Sequence, residues 1–450
     1  MRRTVWLGWV SIAVLGCATT VGGLDGRGPR AIVDPGIADP AASFERAKAA
    51  NALDAKTCQQ HADAFDVRFQ RTGHALHRFN TGVVWEACGD PKQAEVAYRE
   101  AADAQPKLPQ VHNNLGALAY REGRTDEAVR QYEQALRIRP TAIAPRHNLA
   151  HLYRERYRVS EDLADFERAK RQLQAVLAID SENLEAYEGL ARLYYDRASA
   201  GDRSYALLAN LVITQAQRTE EVGGEASAEL WNLRGLLAVL QREPTRALKS
   251  FNEALERDPD LVDARLNAAL IELELRNFAA AERNLAAATR LAKGARAAEV
   301  ALALGVAKRG TRDFAGAEKA YARAHQLDAT DPRAFYNMGI LYQDHIGPSK
   351  DGDGLSDNEI ARERFERFLR QAGADPRYAD AVAHAKLRVA NIDEYAEILD
   401  AQAEIQAQVE RLEAQEREER AKRREELLRM EREAKEALQT ADPADEKAPD

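Results

Sequence analysis

Small, apolar and aromatic positions return along this chain in one fixed order. Gly82, Gly116 and Ala150 are each 34 residues apart. The segment His112–Pro140 reads HNNLGALAYREGRTDEAVRQYEQALRIRP, and Trp231–Pro259 reads WNLRGLLAVLQREPTRALKSFNEALERDP. In both, a glycine (Gly116, Gly235) is followed twelve residues on by alanine (Ala128, Ala247) and four further by an aromatic (Tyr132, Phe251). Ala135 or Ala254 comes next, and a proline five residues later. The pattern predicts two antiparallel helices per unit. Small residues stand where the helices cross most closely, the ring fills the gap between them, and the proline ends the second helix.

Eight units fit this order, at 75–108, 109–142, 143–183, 184–225, 228–261, 262–295, 298–331 and 332–374. Their small crossing residues are Gly82, Gly116, Ala150, Ala191, Gly235, Ala269, Gly305 and Gly339; their second-helix alanines include Ala94, Ala128, Ala169, Ala247, Ala281, Ala317 and Ala361. A degenerate helix pair at about 41–73 precedes them. The 34-residue unit resembles the tetratricopeptide (TPR) repeat. The resemblance implies an all-α TPR superhelical solenoid of about eight repeats, whose core is buried by neighbours stacking on neighbours. The expected solenoid, with a capping helix at Arg377–Asn391, occupies 43–395.

From Ala396 to Leu438 the composition turns to Ala, Glu, Arg, Lys, Gln and Leu, with charges paired four apart. Ile405, Val409 and Leu412 form one short apolar seam; Leu427, Leu428, Met430 and Leu438 form another, with Glu416, Glu419 and Arg423 between them. A long, charged, solvated C-terminal helix is expected rather than a coiled coil. With a Pro- and Asp-rich tail it fills 396–450.

The N-terminus sets the expected compartment. Arg2 and Arg3 precede an apolar run, Val5–Gly16, and then Cys17. This is the layout of a signal peptide, 1–16, too short to span as a resident helix. Val14-Leu15-Gly16-Cys17 resembles a bacterial lipobox, which implies lipidation at Cys17. Ala18 follows where an aspartate would direct inner-membrane retention, so an outer-membrane, lipid-anchored protein on the periplasmic side is expected. Residues 17–42, rich in Gly and Pro, read as the lipidated cysteine and a flexible tether.

Charge and chemistry narrow the function further. With 64 basic and 73 acidic residues the chain carries a net charge of −9, which opposes nucleic acid as the main partner. No phosphate-cradling glycine loop and no recognisable Ser/His/Asp motif is present, so a non-enzymatic protein is expected. His147 and His151 lie four apart, but Asn148 stands where a zinc-protease motif places glutamate; they read as a solvated pair facing the groove. Cys58 begins the helix before the first full repeat and Cys88 ends that repeat's first helix. Antiparallel stacking would bring them together, and the periplasm permits a disulfide closing a loop of about 30 residues.

The last repeat holds an insertion, DHIGPSKDGDGLSDNEI. DGDGLSDNE resembles the calcium loops of EF-hand and thrombospondin type 3 repeats. Aligned on Gly354, Ser349, Asp351, Asp353, the Leu355 carbonyl and Asp357 take ligand positions, but Ile360 stands at the bidentate position and Glu359 is one residue early. Two readings stay open: a weak calcium site, the sole cofactor suggested, or a turn in which Ser356 or Asp357 caps the next helix. A second insertion, Arg158–Asp165, is expected to lengthen the turn of the third repeat as a surface loop.

TPR arrays bind peptides or proteins in the groove lined by repeat positions 2, 5, 6, 9, 12 and 13. Asn80, Asn114 and Asn148 recur at position 6, with Asn267 and Asn337 in phase. They resemble the asparagine ladder that holds a peptide backbone in the TPR arm of O-linked N-acetylglucosamine transferase. Leu236, Val239, Leu240, Leu266, Leu270 and Leu273 predict an exposed apolar patch on the groove wall. In length, repeat number, Asp-rich insertion and charged tail, the chain most resembles the TPR lipoprotein of the adventurous gliding motility machinery of myxobacteria. That resemblance implies a protein-binding scaffold of an envelope-spanning machine, partnering other envelope proteins or peptides. A TPR chaperone or pilotin for outer-membrane protein or pilus assembly is the alternative.

Overall fold

The computed structural model describes residues 38–223, 227–346 and 357–440. The expected signal peptide, Cys17, most of the tether and the tail from 441 lie outside the described residues. Every described element is helical, and the chain divides into two compact units, Met1–Ala329 and Thr330–Asp450.

In the first unit, α1 (Ala38–Ala49) and α2 (Ala55–Thr72) form the degenerate pair. Helix α1 starts inside the stretch expected to be tether, because Ala41 and Phe44 are fully buried in the first core cluster. Seven repeats follow: α3 (Ala75–Ala87) with α4 (Pro91–Ala104), α5 (Pro109–Arg121) with α6 (Thr125–Ile138), α7 (Ala144–Ser160) with α8 (Leu163–Ile179), and α9 (Leu184–Ser199) with α10 (Ser204–Gly223). Then come α11 (Ala228–Leu240) with α12 (Pro244–Arg257), α13 (Val262–Glu274) with α14 (Phe278–Thr289), and α15 (Gly294–Gly310) with α16 (Phe314–Leu327).

Local chemistry sets the helix starts. Asp54 and Thr57 make a reciprocal capping box, with Thr57 N–H donating to Asp54 at 2.8 Å. Asp90 caps α4 ahead of Pro91, whose missing N–H costs nothing at the first helical position. Inside each repeat the predicted crossing is present. The alanines at 94, 128, 169, 247, 281, 317 and 361 are fully buried. At Gly116 an added methyl would sit 2.7 Å from the ring of Tyr132, and at Gly339 equally close to that of Phe365. Buried side chains from Ala119 to Ile271 form one cluster running through five repeats, as stacking predicts.

The Arg158–Asp165 insertion is not a loop. Helices α7 and α8 are each 17 residues, against 13 and 14 for α5 and α6, so the extra residues add about one turn to each. Glu161 in the left-handed region (φ 55°) and the cap Asp162 close the short turn between them.

The second unit holds α17 (Arg333–Leu341), a π-helical turn at Tyr342–Ile346, α18 (Asp357–Ala372), a 3-10 turn at Pro376–Tyr378 and α19 (Ala379–Thr440). Its core gathers Phe335, Tyr336, Phe365, Phe368, Ala385 and Ile392. Arg388 of α19 binds Gln343 at 2.9 Å and pairs with Asp344, tying the π-helical turn down. The capping helix and the charged helix expected as separate elements are one 62-residue helix, about 93 Å long, which crosses 395/396 without a break. No glycine or proline lies between Ala379 and Thr440 to interrupt it.

Candidate protein-binding surface

Contacts between elements define an inner face in the first unit. Successive first helices meet one another: α5 with α7, α7 with α9, α9 with α11, α11 with α13 and α13 with α15. Second helices principally meet the first helices on either side. The first-helix side is therefore the tight, concave side of the curve.

That tightness overturns the expected apolar patch. Leu236, Leu266 and Leu273 are 8%, 4% and 3% exposed, and Leu236 belongs to the continuous core, with Val239 and Leu240 packed against it. Leu270 is half-buried. Where first helices close on each other, large side chains at these positions fill the seam between repeats instead of facing a partner. Large exposed apolar side chains occur elsewhere, on the second helix α10, at Leu207 and Leu211.

The asparagines are likewise bracing. Asn148 donates to Asn113 at 2.9 Å and Asn267 donates to Asn232 at 2.9 Å, each 35 residues back on the preceding first helix. Asn114 donates to the Tyr98 hydroxyl of the preceding repeat at 3.0 Å, and Tyr98 in turn donates to Glu86. Asn80 is fully buried, and Asn337, in the second unit, donates to the Arg333 carbonyl. For Asn148, Asn267 and Asn114 the partner belongs to the preceding repeat.

His147 is buried, contrary to the solvated reading, with Nε2 3.1 Å from Asn183 and Nδ1 3.7 Å from Glu185. His151 lies 3.3 Å from the Tyr120 hydroxyl, and burial pushes its pKa down. The two rings therefore serve different partners. Of the calcium-loop candidates, Ser349, Asp351, Asp353 and Leu355 lie outside the described residues. Asp357, buried, and Glu359, exposed, stand in the first turn of α18.

Cys58 and Cys88 are joined in a disulfide that ties the start of α2 to the end of α3.

The inner face also carries a row of charge. Position 2 of four consecutive repeats carries an acid: Glu185, Glu229, Asp263 and Glu299. Arg192 pairs with Glu229 at 2.6 Å; Arg296 pairs with Asp263 at 2.8 Å and also with Glu299. Glu188, one turn along from Glu185, accepts from Ser227. Arg192 and Arg296 thus pair with three of these carboxylates, Glu229, Asp263 and Glu299, while His147 faces Glu185 and Ser227 faces Glu188. At Glu229, burial, opposed by Arg192 and reinforced by Glu188 and Asp263, pushes the pKa up to about 7. This row is written at position 2 of four repeats, whereas the apolar and asparagine patterns of the sequence lie at positions 5, 6, 9, 12 and 13.

Two tetratricopeptide repeat family models match the chain, one over residues 109–142, the bounds read above for the second repeat, and another over 208–262. The fold is a tetratricopeptide repeat solenoid. TPR folds are typically non-catalytic scaffolds for protein–protein interaction. Anaphase-promoting complex subunit 6 of Arabidopsis thaliana is 32% identical over 109 residues, 23% of this chain and 19% of that protein. Human protein O-mannosyl-transferase TMTC1 is 24% identical over 194 residues, 43% of this chain and 20% of that protein. The chain thus spans about one fifth of the length of either relative. Among solved structures, a tetratricopeptide repeat protein from Parabacteroides merdae aligns with TM-score 0.45 and 17% identity, covering 60% of this chain and 99% of that one. The pilF protein of Pseudomonas aeruginosa aligns with TM-score 0.37 and 15% identity, covering 59% and 96%.

Proposed function

We propose that this TPR protein is a non-enzymatic scaffold of an envelope-spanning machine, of the gliding-motility kind, held at the outer membrane by a lipid on Cys17. The acidic strip at Glu185, Glu188, Glu229, Asp263 and Glu299 carries the binding half of the reading. Carboxylates at position 2 of four consecutive repeats, with Glu188 one turn from the first, offer repeated acceptor sites to an extended partner segment bearing lysine or arginine. The lipobox carries the anchoring half.

The test uses native cells. The wild-type chain should fractionate with the outer membrane and co-purify, after cross-linking, with an inner-membrane motor and surface-adhesion proteins. Cys17→Ala should leave the protein unanchored in the periplasm or as uncleaved precursor. An acylated, membrane-bound Cys17→Ala variant would overturn the anchor. Co-purification with secretin or barrel-assembly proteins instead would favour a pilotin or chaperone.

A further inference from the structure

We propose that residues 395–412 of α19 pair with the same residues of a second copy of this chain, in a parallel, in-register two-stranded coiled coil. The proposal stands apart from what the inner strip binds. Helix α19 leaves its packing partners at Ile392, 5% exposed, and Asp393, paired with Arg362 at 2.6 Å. From Glu394 to Glu436 every side chain is exposed.

The two halves of this free stretch are built differently. From Glu413 to Glu433 the helix supports itself with ion pairs four apart: Arg417–Glu413, Arg420–Glu416, Lys422–Glu418, Arg423–Glu419 and Arg429–Glu433. Among the described residues, 394–412 carry no ion pair. They carry instead an apolar stripe, Tyr395, Ile398, Ile405, Val409 and Leu412, with exposures of 48%, 48%, 61%, 43% and 61%. Alternating steps of three and four connect these positions, with Gln402 at the one intervening place, which is the seam of a coiled coil.

The residues beside the seam identify the occupant. Leu399, Ala401, Gln406 and Gln408 flank it and are uncharged, while Glu397, Asp400, Glu404, Glu410 and Arg411 lie away from it. Charges at flanking positions choose partners and repel wrong ones. Their absence here leaves nothing to oppose an identical seam, and a two-fold pair needs only one self-complementary surface. A lipid surface is disfavoured, because the outward charges are mostly acidic whereas membrane-surface helices carry Lys and Arg. Gln402 sets the direction. In parallel register each amide faces its own copy, where both can donate and accept; antiparallel pairing would set it against isoleucine.

The test weighs the full chain, in detergent, by light scattering on a sizing column. The wild type should show the mass of two chains. Ile405→Glu with Leu412→Glu should show one, with the circular dichroism of the folded chain, since both side chains are exposed and glutamate favours helix. Leu427→Glu with Leu428→Glu, outside the seam, should remain two. Gln402→Cys should give, on mild oxidation, a disulfide-linked pair that the wild type does not form. A one-chain wild type, a pair that survives the Ile405/Leu412 change, or no linkage at position 402 would each overturn the proposal.

Discussion

At the scale of single residues, the repeat is governed by one exchange of volume between its two helices. Where the second helix offers a ring, at Tyr98, Tyr132, Phe251, Tyr321 or Phe365, the first helix offers glycine, at 82, 116, 235, 305 or 339. Where Leu173, Ile213 or Leu285 stands in the place of the ring, alanine takes the place of glycine, at 150, 191 or 269. The core has room for a ring or a methyl, not both. Gly116→Ala should therefore destabilise by about 1–3 kcal/mol despite better helix propensity, and Tyr132→Leu added to it should recover part of that loss. Thermal or denaturant unfolding of the two variants checks it; purely additive losses would contradict it. Glu229 gives a pH-dependent counterpart. Its folded pKa of about 7 lies above the usual 4.5, so the native state takes up a proton between those values. Its contribution to stability is full below about pH 4.5 and is lost as pH rises through about 7. Glu229→Gln removes this titration. The melting temperature of the variant minus that of the wild type should rise between about pH 5 and about pH 8. A flat or falling difference would mean that the Arg192 pair outweighs burial.

At the scale of elements, helix pairing was legible wherever a small residue, an alanine and an aromatic kept their spacing, because those residues report a close crossing directly. The Cys58–Cys88 bridge was legible for the same reason: antiparallel neighbours put the start of α2 beside the end of α3. Cys58→Ser should lower stability by roughly 3 kcal/mol, the loop entropy released by a 30-residue closure, and should expose α1 and α2 to proteolysis before the rest of the chain. Equal digestion rates in wild type and variant would show that packing alone holds the pair. Less was legible where length had to be shared between elements. The insertion at 158–165 contains no glycine or proline, so its residues extend α7 and α8 instead of forming a loop. Leu266 and Leu273 were misread because repeat position alone treats the inner face as open. How closely successive first helices approach is a property of the stack and is not written in any one repeat.

At the scale of the whole molecule, the hydrophobic residues build the stack, and the inner face keeps its charge. Asparagine pairs 35 residues apart and the acid–arginine pairs across repeats hold neighbours in register. The same acids line the proposed binding strip. The most direct measurement compares wild type with Glu185→Gln, Asp263→Asn and Glu299→Gln combined, in binding to a partner identified by cross-linking in native cells. The substitutions keep shape and remove charge. The account predicts unchanged helicity, at least about tenfold weaker binding, and a smaller salt dependence than the wild type shows. Equal affinity and equal salt dependence in the two proteins would contradict it and place the partner on another surface.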